Sequence, residues 1–290
     1  FNIWIRILRS TLAHELDNGI TPWRHGSQSM RRLICVISLT LLSGFCLAQT
    51  PAPASAGRIP VLVELFTSEG CSTCPPADRF LGALDGQPIP GTEIIVLSEH
   101  VDYWDHLGWK DPYSSRELTE RQEMYARQFK LASAYTPQMV VDGVHQLSGA
   151  DAKEASTALR EAVARPKAGL SITNAQAESS RIRARIECTA LSSSQIPGTL
   201  DVYVALALNR AENQVTRGEN ANHHLTHTAV VRKLARIGKM KAGESFSHDV
   251  DLKIDDKTTP DNLRVITFLQ DPSSGKVFGA AMKGLAATKQ

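Results

Sequence analysis

Cys71 and Cys74 stand three positions apart in LFTSEGCSTCPPADRF, with Pro75 and Pro76 directly behind them. Two thiols at this spacing can close into a disulfide and reopen by thiolate attack, one sulfur exchanging and the other resolving. They can also bind a soft metal or form a static bridge. A static bridge achieves little here, because so short a ring removes little chain entropy from the unfolded state. A zinc ribbon would need a second cysteine pair elsewhere. The chemistry expected is redox, with Cys71 attacking and Cys74 resolving.

The two prolines indicate what positions the pair. Proline is tolerated in a first helical turn, where its missing N–H has no intrahelical partner anyway. A helix is therefore predicted over Pro76–Leu84, with Phe80, Leu81 and Leu84 on one face and a solvent-facing Cys71 at its N-terminus. Unpaired amides and the positive dipole end stabilise a thiolate there, and cysteines so placed titrate at about 3.5–7.5. In front, IPVLVELF (Ile59–Phe66) reads as a strand buried on both faces. A second apolar strand follows at Ile94–Leu97, then a helical stretch over Ser114–Leu131 with Ser114 and Glu117 spaced as a capping box. MVV-DG-VHQL is a hairpin turning at Asp142-Gly143. The last helix is capped by Asp151 and Glu154 and stopped at Pro166.

From Ala168 onward the helical period gives way to short strands separated by turn signals. In SRIRARIECTA, Ile182, Ala184, Ile186 and Cys188 alternate with Arg181, Arg183, Arg185 and Glu187. Cys188 is thus expected to be a buried, inert thiol. His248, in register with Phe246, Val250 and Leu252, is expected to pack inward. The polar, histidine-rich loop Asn209–His227 is long, and long loops in compact domains are often functional; it is expected to cover or rim the cysteines.

The order strand, Cys-x-x-Cys helix, strand, helix, hairpin, helix resembles the thioredoxin fold. That resemblance implies that Pro137, preceded by Thr136, is a cis proline facing the cysteine pair, and that Ser114–Leu131 is a helical insertion. More closely, ELFTSEGCSTCPPAD, LSEHVDYWDHLGWKDP and YTPQMVVDG, with RGEN followed by a histidine and VVR, resemble a secreted bacterial family known as domain of unknown function 1223. The resemblance implies a thioredoxin-like fold and carries no activity with it. The fold class expected is an α/β thioredoxin-like domain with a helical insertion over 59–166. A β-rich, antiparallel sandwich-like C-terminal module over 167–290 follows it.

Cys71, Cys74 and Pro137 are the expected catalytic residues of a thiol–disulfide oxidoreductase acting on protein thiols and disulfides, with no cofactor. Open α/β sheets bind ligands beyond the carboxyl ends of their strands. Glu69, Glu99, His100, Asp102, Trp104 and Thr136 are therefore candidates for a substrate groove or proton relay. The competing reading is a capping loop whose aromatics fill the core. His223, His224 and His227, joined to Cys71 and Cys74, open a metal alternative: a non-catalytic copper-binding module on the same scaffold. An interaction module with an inert disulfide is the other alternative.

Compartment comes from the N-terminal region. Met30, Arg31-Arg32 and the uncharged Leu33–Leu47 form a basic start and an apolar run, ending at Cys46-Leu47-Ala48. This reads as a signal peptide over 30–48 cleaved near Ala48, a retained anchor being the alternative. A linker over 49–58 follows it, and residues 1–29 read as an upstream extension. Cleavage would leave Cys71, Cys74 and Cys188 of the five cysteines in a periplasmic or secreted chain with no membrane segment in its mature form. The 290 residues are 42% hydrophobic and 21% charged with a net charge of +2, which gives no electrostatic case for nucleic acid.

Overall fold

The computed structural model describes residues 57–285, apart from 88, 179, 193, 195, 197 and 255–257. The signal-peptide reading and the upstream extension lie outside the described residues. β1 (Ile59–Thr67) is apolar almost throughout, and such a strand belongs inside a sheet rather than at its edge. β2 (Thr92–His100) runs parallel to it, from Ile59 opposite Thr92 to Thr67 opposite His100. On the other side, β3 (Gln138–Val141) pairs antiparallel with β1 and turns into β4 (His145–Ser148). Asp142 and Gly143 make that turn with φ of 50° and 64°, and Val144 N donates to Val141 O. Two positive φ values give the turn whose twist matches the strands it joins.

α1 (Pro75–Leu84) follows β1, α2 (Arg116–Gln128) follows β2, and α3 (Ala152–Val163) follows β4. α1 and α3 bury Ala77, Phe80, Leu81, Ala155 and Leu159 against Val61, Val63, Leu65, Ile94 and Val96. α2 lies on the opposite face, where Leu118 meets Leu62, Ile95 and Leu97. Asp151 caps α3 by accepting from Lys153 N and Glu154 N, as expected. α2 is capped by Ser115 rather than Ser114, whose hydroxyl instead donates to Asp105 and to the Asp111 carbonyl.

Beyond these elements lie β5 (Leu170–Glu178), β6 (Arg181–Cys188), a long hairpin of β7 (Thr199–Gln214) and β8 (His224–Lys241), then β9 (Phe246–Lys253), β10 (Leu263–Gln270) and β11 (Val277–Gly284). β8 docks in parallel beside β2, Ser98 opposite Val230. One mixed sheet results, ordered β11-β10-β7-β8-β2-β1-β3-β4. The sheet curls, because Leu62, Ile95 and Leu97 share a core cluster with Ala205, Ala207, Ile266, Phe268, Val277 and Ala280. Val277 N also donates to Asp142 O at 2.8 Å, tying the start of β11 to the β3–β4 turn.

A second sheet, β5-β6-β9, packs Ile182, Ala184, Ile186, Val250 and Leu252 onto Leu200, Val202, Val204 and Leu206 of β7. Its other face carries cross-strand pairs such as Arg185 with Asp249. Cys188 is buried and free, its thiol pushed up to about 11 by burial. His248 is exposed, contrary to expectation.

The expected fold class is overturned. Instead of a thioredoxin-like α/β domain with a helical insertion and an appended sandwich-like module, the described residues form a strand-rich body with three α-helices. Its eight-stranded mixed sheet runs across the boundary placed at Pro166. The physical reason is the free edge of β2. Covered by β8, it is a sheet interior rather than a domain surface, and that pairing leaves no periodic trace in the sequence. α2, read as an insertion, plugs the concave side of the curled sheet.

Candidate active site

Cys71 and Cys74 are joined in a disulfide with their Cα atoms 5.4 Å apart. Cys74 is the N-cap of α1, and Pro75 and Pro76 occupy its first two positions. The helix thus begins one residue earlier than predicted, with Cys71 a turn ahead, accepting from Cys74 N at 3.2 Å. The prolines alter the expected electrostatics. Two of the amides that a helix start would aim at a thiolate do not exist in proline. The next two, on Ala77 and Asp78, donate to Cys74 O at 2.9 and 3.1 Å. At the pair itself, the Thr73 hydroxyl lies 3.4 Å from Cys71 Sγ.

The sequence predicts a solvent-facing Cys71, but both cysteines are 0% exposed. The loop 215–223 between β7 and β8 lies over the cysteine loop. Asn220 Nδ2 donates to the Glu69 and Cys71 carbonyls at 2.8 and 2.9 Å. Glu219 accepts from Ser72 N at 3.1 Å. Gly218, at φ 77°, lets this loop close on its neighbour: a Cβ there would meet Trp109 Cβ at 3.1 Å.

The Thr136–Pro137 peptide is cis. Trp104 Nε1 donates to Thr136 Oγ1 at 2.8 Å, and a Cβ on Gly70 would meet Trp104 Cβ at 3.1 Å. Trp104 therefore spans from the cysteine loop to the proline turn. Pro137 lies beside α1, since a Cβ on Gly149 would come within 3.0 Å of Ala77 Cβ and 3.1 Å of Pro137 Cβ.

Beneath α1, strand alternation gathers ionisable groups. His100 lies on the same side of β2 as Val96, facing α1. Its Nδ1 is 2.7 Å from Asp111 Oδ2. His227 of β8 meets the His100 ring edge-on, centroids 4.7 Å apart. His227 Nε2 lies 3.3 Å from Glu69 Oε1, and Nδ1 stands 3.7 Å from Asp78 Oδ2, an ion-pair rather than a hydrogen-bond distance. Glu69 also accepts from Trp109 Nε1 at 2.8 Å and Asn213 Nδ2 at 2.9 Å. Burial favours a neutral His227, but Asp78 and then Glu69 outweigh it and raise the imidazole to about 10. For Asp111, burial pushes the carboxyl up, and the His100 charge and hydrogen bond bring it down to about 2. Thr67 Oγ1, Asp78 Oδ1, Ser98 Oγ, His100 Nε2 and His227 Nδ1 are buried with no hydrogen-bond partner within the protein.

Alternation turns Glu99 the opposite way, onto the α2 side. There Arg121 Nε lies 2.6 Å from Glu64 Oε1 and 3.6 Å from Glu99 Oε1. The Tyr125 hydroxyl donates to Glu64 Oε2 at 2.6 Å. Burial first, then the Glu64 charge, holds Glu99 well above the usual carboxylate range despite Arg121.

The sequence-predicted residues thus divide. Glu69 lies in the segment leading into the cysteines, Trp104 packs beside Gly70 and bonds Thr136, Pro137 lies beside α1, and His100 lies against His227 beneath it. Glu99 sits across the sheet, and Asp102 anchors α2 by accepting from the Thr119 hydroxyl at 2.6 Å. The metal set does not converge. His223 and His224 are exposed and turn to Asn220 O and Glu212, whereas His227 is buried against Glu69. Among the described residues, no group of three or more His, Cys, Asp or Glu is arranged to hold a metal ion. Sequence reasoning passes over Asp78, Asp111, Asn213 and Asn220. Asp78, Asp111 and Asn220 do lie within the family motifs quoted above, and Asp78 leaves a further signal as a carboxylate three residues before Leu81 on the apolar stripe of α1.

No curated protein matches the chain. Among solved structures, a protein of Agrobacterium tumefaciens aligns over 80% of this chain and 96% of its own, at 27% identity and a TM-score of 0.61. HBP35 of Porphyromonas gingivalis aligns over 81% and 79%, at 14% identity and a TM-score of 0.56, a likeness of fold alone. A family model described as protein of unknown function (DUF1223) matches residues 62–270, a span that takes in the cysteine pair, the cis-proline turn and the covering loop. The chain belongs to that family.

Proposed function

We propose that this chain is an exported thiol–disulfide exchange protein whose reactive centre is the Cys71–Cys74 couple. One observation carries the reading: the couple closes as a disulfide across three positions at the N-cap of α1, under a loop whose Asn220 holds the Glu69 and Cys71 carbonyls. A ring of this size is a weak staple, so stability alone gives little reason for it. An incoming thiolate attacks Cys71 Sγ, the Cys71–Cys74 bond breaks, and its electron pair leaves on Cys74 Sγ. The mixed disulfide at Cys71 resolves when Cys74 attacks it and expels the partner thiolate. The substrates are protein thiols and disulfides outside the cytoplasm, which agrees with the signal-peptide pattern at Met30–Ala48.

Trapping tests the reading. Cys74→Ser should accumulate mixed disulfides with partner proteins on non-reducing gels, and Cys71→Ser should not. Equal behaviour of the two variants would defeat the enzyme reading. An inert bridge would give no trapping in either.

A further inference from the structure

We propose that the buried His227–Asp78 pair is the proton-handling device of the disulfide couple, setting the ionisation of Cys74 as the bond opens and closes. This deepens the exchange reading above and rests on it. The prolines are the starting point. They remove two amides that would otherwise meet negative charge on Cys74, and the next two donate to its carbonyl. Charge on that sulfur must be met from below.

Asp78 is placed to transmit it. It follows Cys74 by one helical turn, i to i+4, and both side chains are buried. His227 Nδ1 stands 3.7 Å from Asp78 Oδ2, while Asp78 Oδ1 has no partner within the protein. The groups that face His227 are Glu69 after β1, Asp78 on α1, His100 on β2 and Tyr113 beyond it. Asp111 acts one step removed, through His100. The carboxylates on its two nitrogens keep the imidazole charged, so the cation is in place before the disulfide opens.

The step balances as follows. Attack on Cys71 Sγ leaves the electron pair on Cys74 Sγ. As the bond opens, Asp78 closes the 3.7 Å gap to His227 Nδ1, takes its proton and delivers it to that sulfur, leaving His227 neutral. On resolution the Cys74 proton returns to His227, the thiolate attacks Cys71 Sγ, and the partner departs as thiolate. His227 and Asp78 supply and take back the proton, while Cys71 and Cys74 perform the sulfur chemistry.

Ionisation of Cys74 reads this coupling directly. In a chain that starts after Ala48, and so lacks Cys35 and Cys46, carrying Cys71→Ser, thiolate ultraviolet absorbance reports Cys74 alone below about pH 10, because burial holds the Cys188 thiol up at about 11. Asp78→Asn removes the negative charge one turn from Cys74 while Glu69 still faces the cation, and should make Cys74 about tenfold easier to ionise; His227→Gln should make it about tenfold harder. A merely structural role would not give opposite signs. Shifts of the same sign, or none, overturn the proposal. Should a variant not fold, the native chain supplies the reciprocal measurement. His227 ring resonances should titrate about tenfold differently in proton affinity between oxidised and reduced protein, and identical titrations overturn the proposal. Partner trapping without coupling overturns this inference alone. Coupling without trapping overturns the exchange reading and with it the role given to the pair.

Discussion

Carrying a charge into an enclosed site at His227 makes folding stability depend on pH in a definite direction. In an unfolded chain the imidazole releases its proton near about pH 6.5. In the folded chain Asp78 and Glu69 hold it until about 10. The folded value is the raised one, so this contribution is fully present below about 6.5 and is lost as pH climbs through about 10. Asp111 has the opposite sign. Its carboxyl is lowered to about 2, so its contribution is present above the ordinary range, about 3.9, and is lost in strong acid. We expect the urea midpoint of the oxidised chain to decline between about pH 7 and 10. His227→Gln should cost about 3–5 kcal/mol at neutral pH, because it strands buried carboxylates without their cation, and it should also flatten the decline. An undiminished slope in that variant would assign the decline to another group.

The loop 215–223 is the element that decides whether the disulfide can be reached. Its hold is specific: one side chain, Asn220, ties the Glu69 and Cys71 carbonyls together, and Glu219 adds a contact at Ser72 N. Each buried hydrogen bond contributes roughly 0.5–1.5 kcal/mol, so removing the Asn220 amide should lower the cost of lifting the loop by about 1–3 kcal/mol. Asn220→Ala should accordingly speed reduction of the Cys71–Cys74 bond by dithiothreitol about tenfold, with little effect on β7 and β8 pairing. Reduction at the native rate would mean that the barrier lies elsewhere, in α1 or in the Trp104 contact with Thr136. α1 itself is short and begins with two prolines, so its start is rigid. Motion that exposes the sulfurs therefore falls to the covering loop.

Across the whole molecule, legibility followed sequence distance. β1, the start of α1, the Asp142-Gly143 turn, the Asp151 cap and the alternation of β6 are local patterns, and each was readable from its own residues. The burial of Cys188 came from the same period of two. What could not be read is the pairing of Ser98 with Val230, which joins distant segments through backbone groups that every residue carries. The site shows the same limit. Glu69 and His100 lie beside recognisable motifs, while His227 reaches Asp78 only because β8 lies beside β2. That continuity leads to the last prediction, that residues 57–166 cannot fold alone. Without the later strands, Leu62, Ile95 and Leu97 lose the far side of their core. At about 1.5–3 kcal/mol for each such side chain, the loss approaches the whole stability of an ordinary domain, roughly 5–15 kcal/mol. Arg121 would also lose its 3.1 Å bond to Gln270 and the faces of Tyr203 and Phe268, leaving a cation beside Glu64 and Glu99 in an open groove. Asp142 would lose Lys167 and the Val277 amide. The isolated fragment should show no cooperative thermal transition by circular dichroism and a collapsed amide proton spectrum, while residues 57–285 should unfold in a single transition. A fragment that melts cooperatively with dispersed resonances would show that the first half is an independent domain after all, with β8 only resting against it.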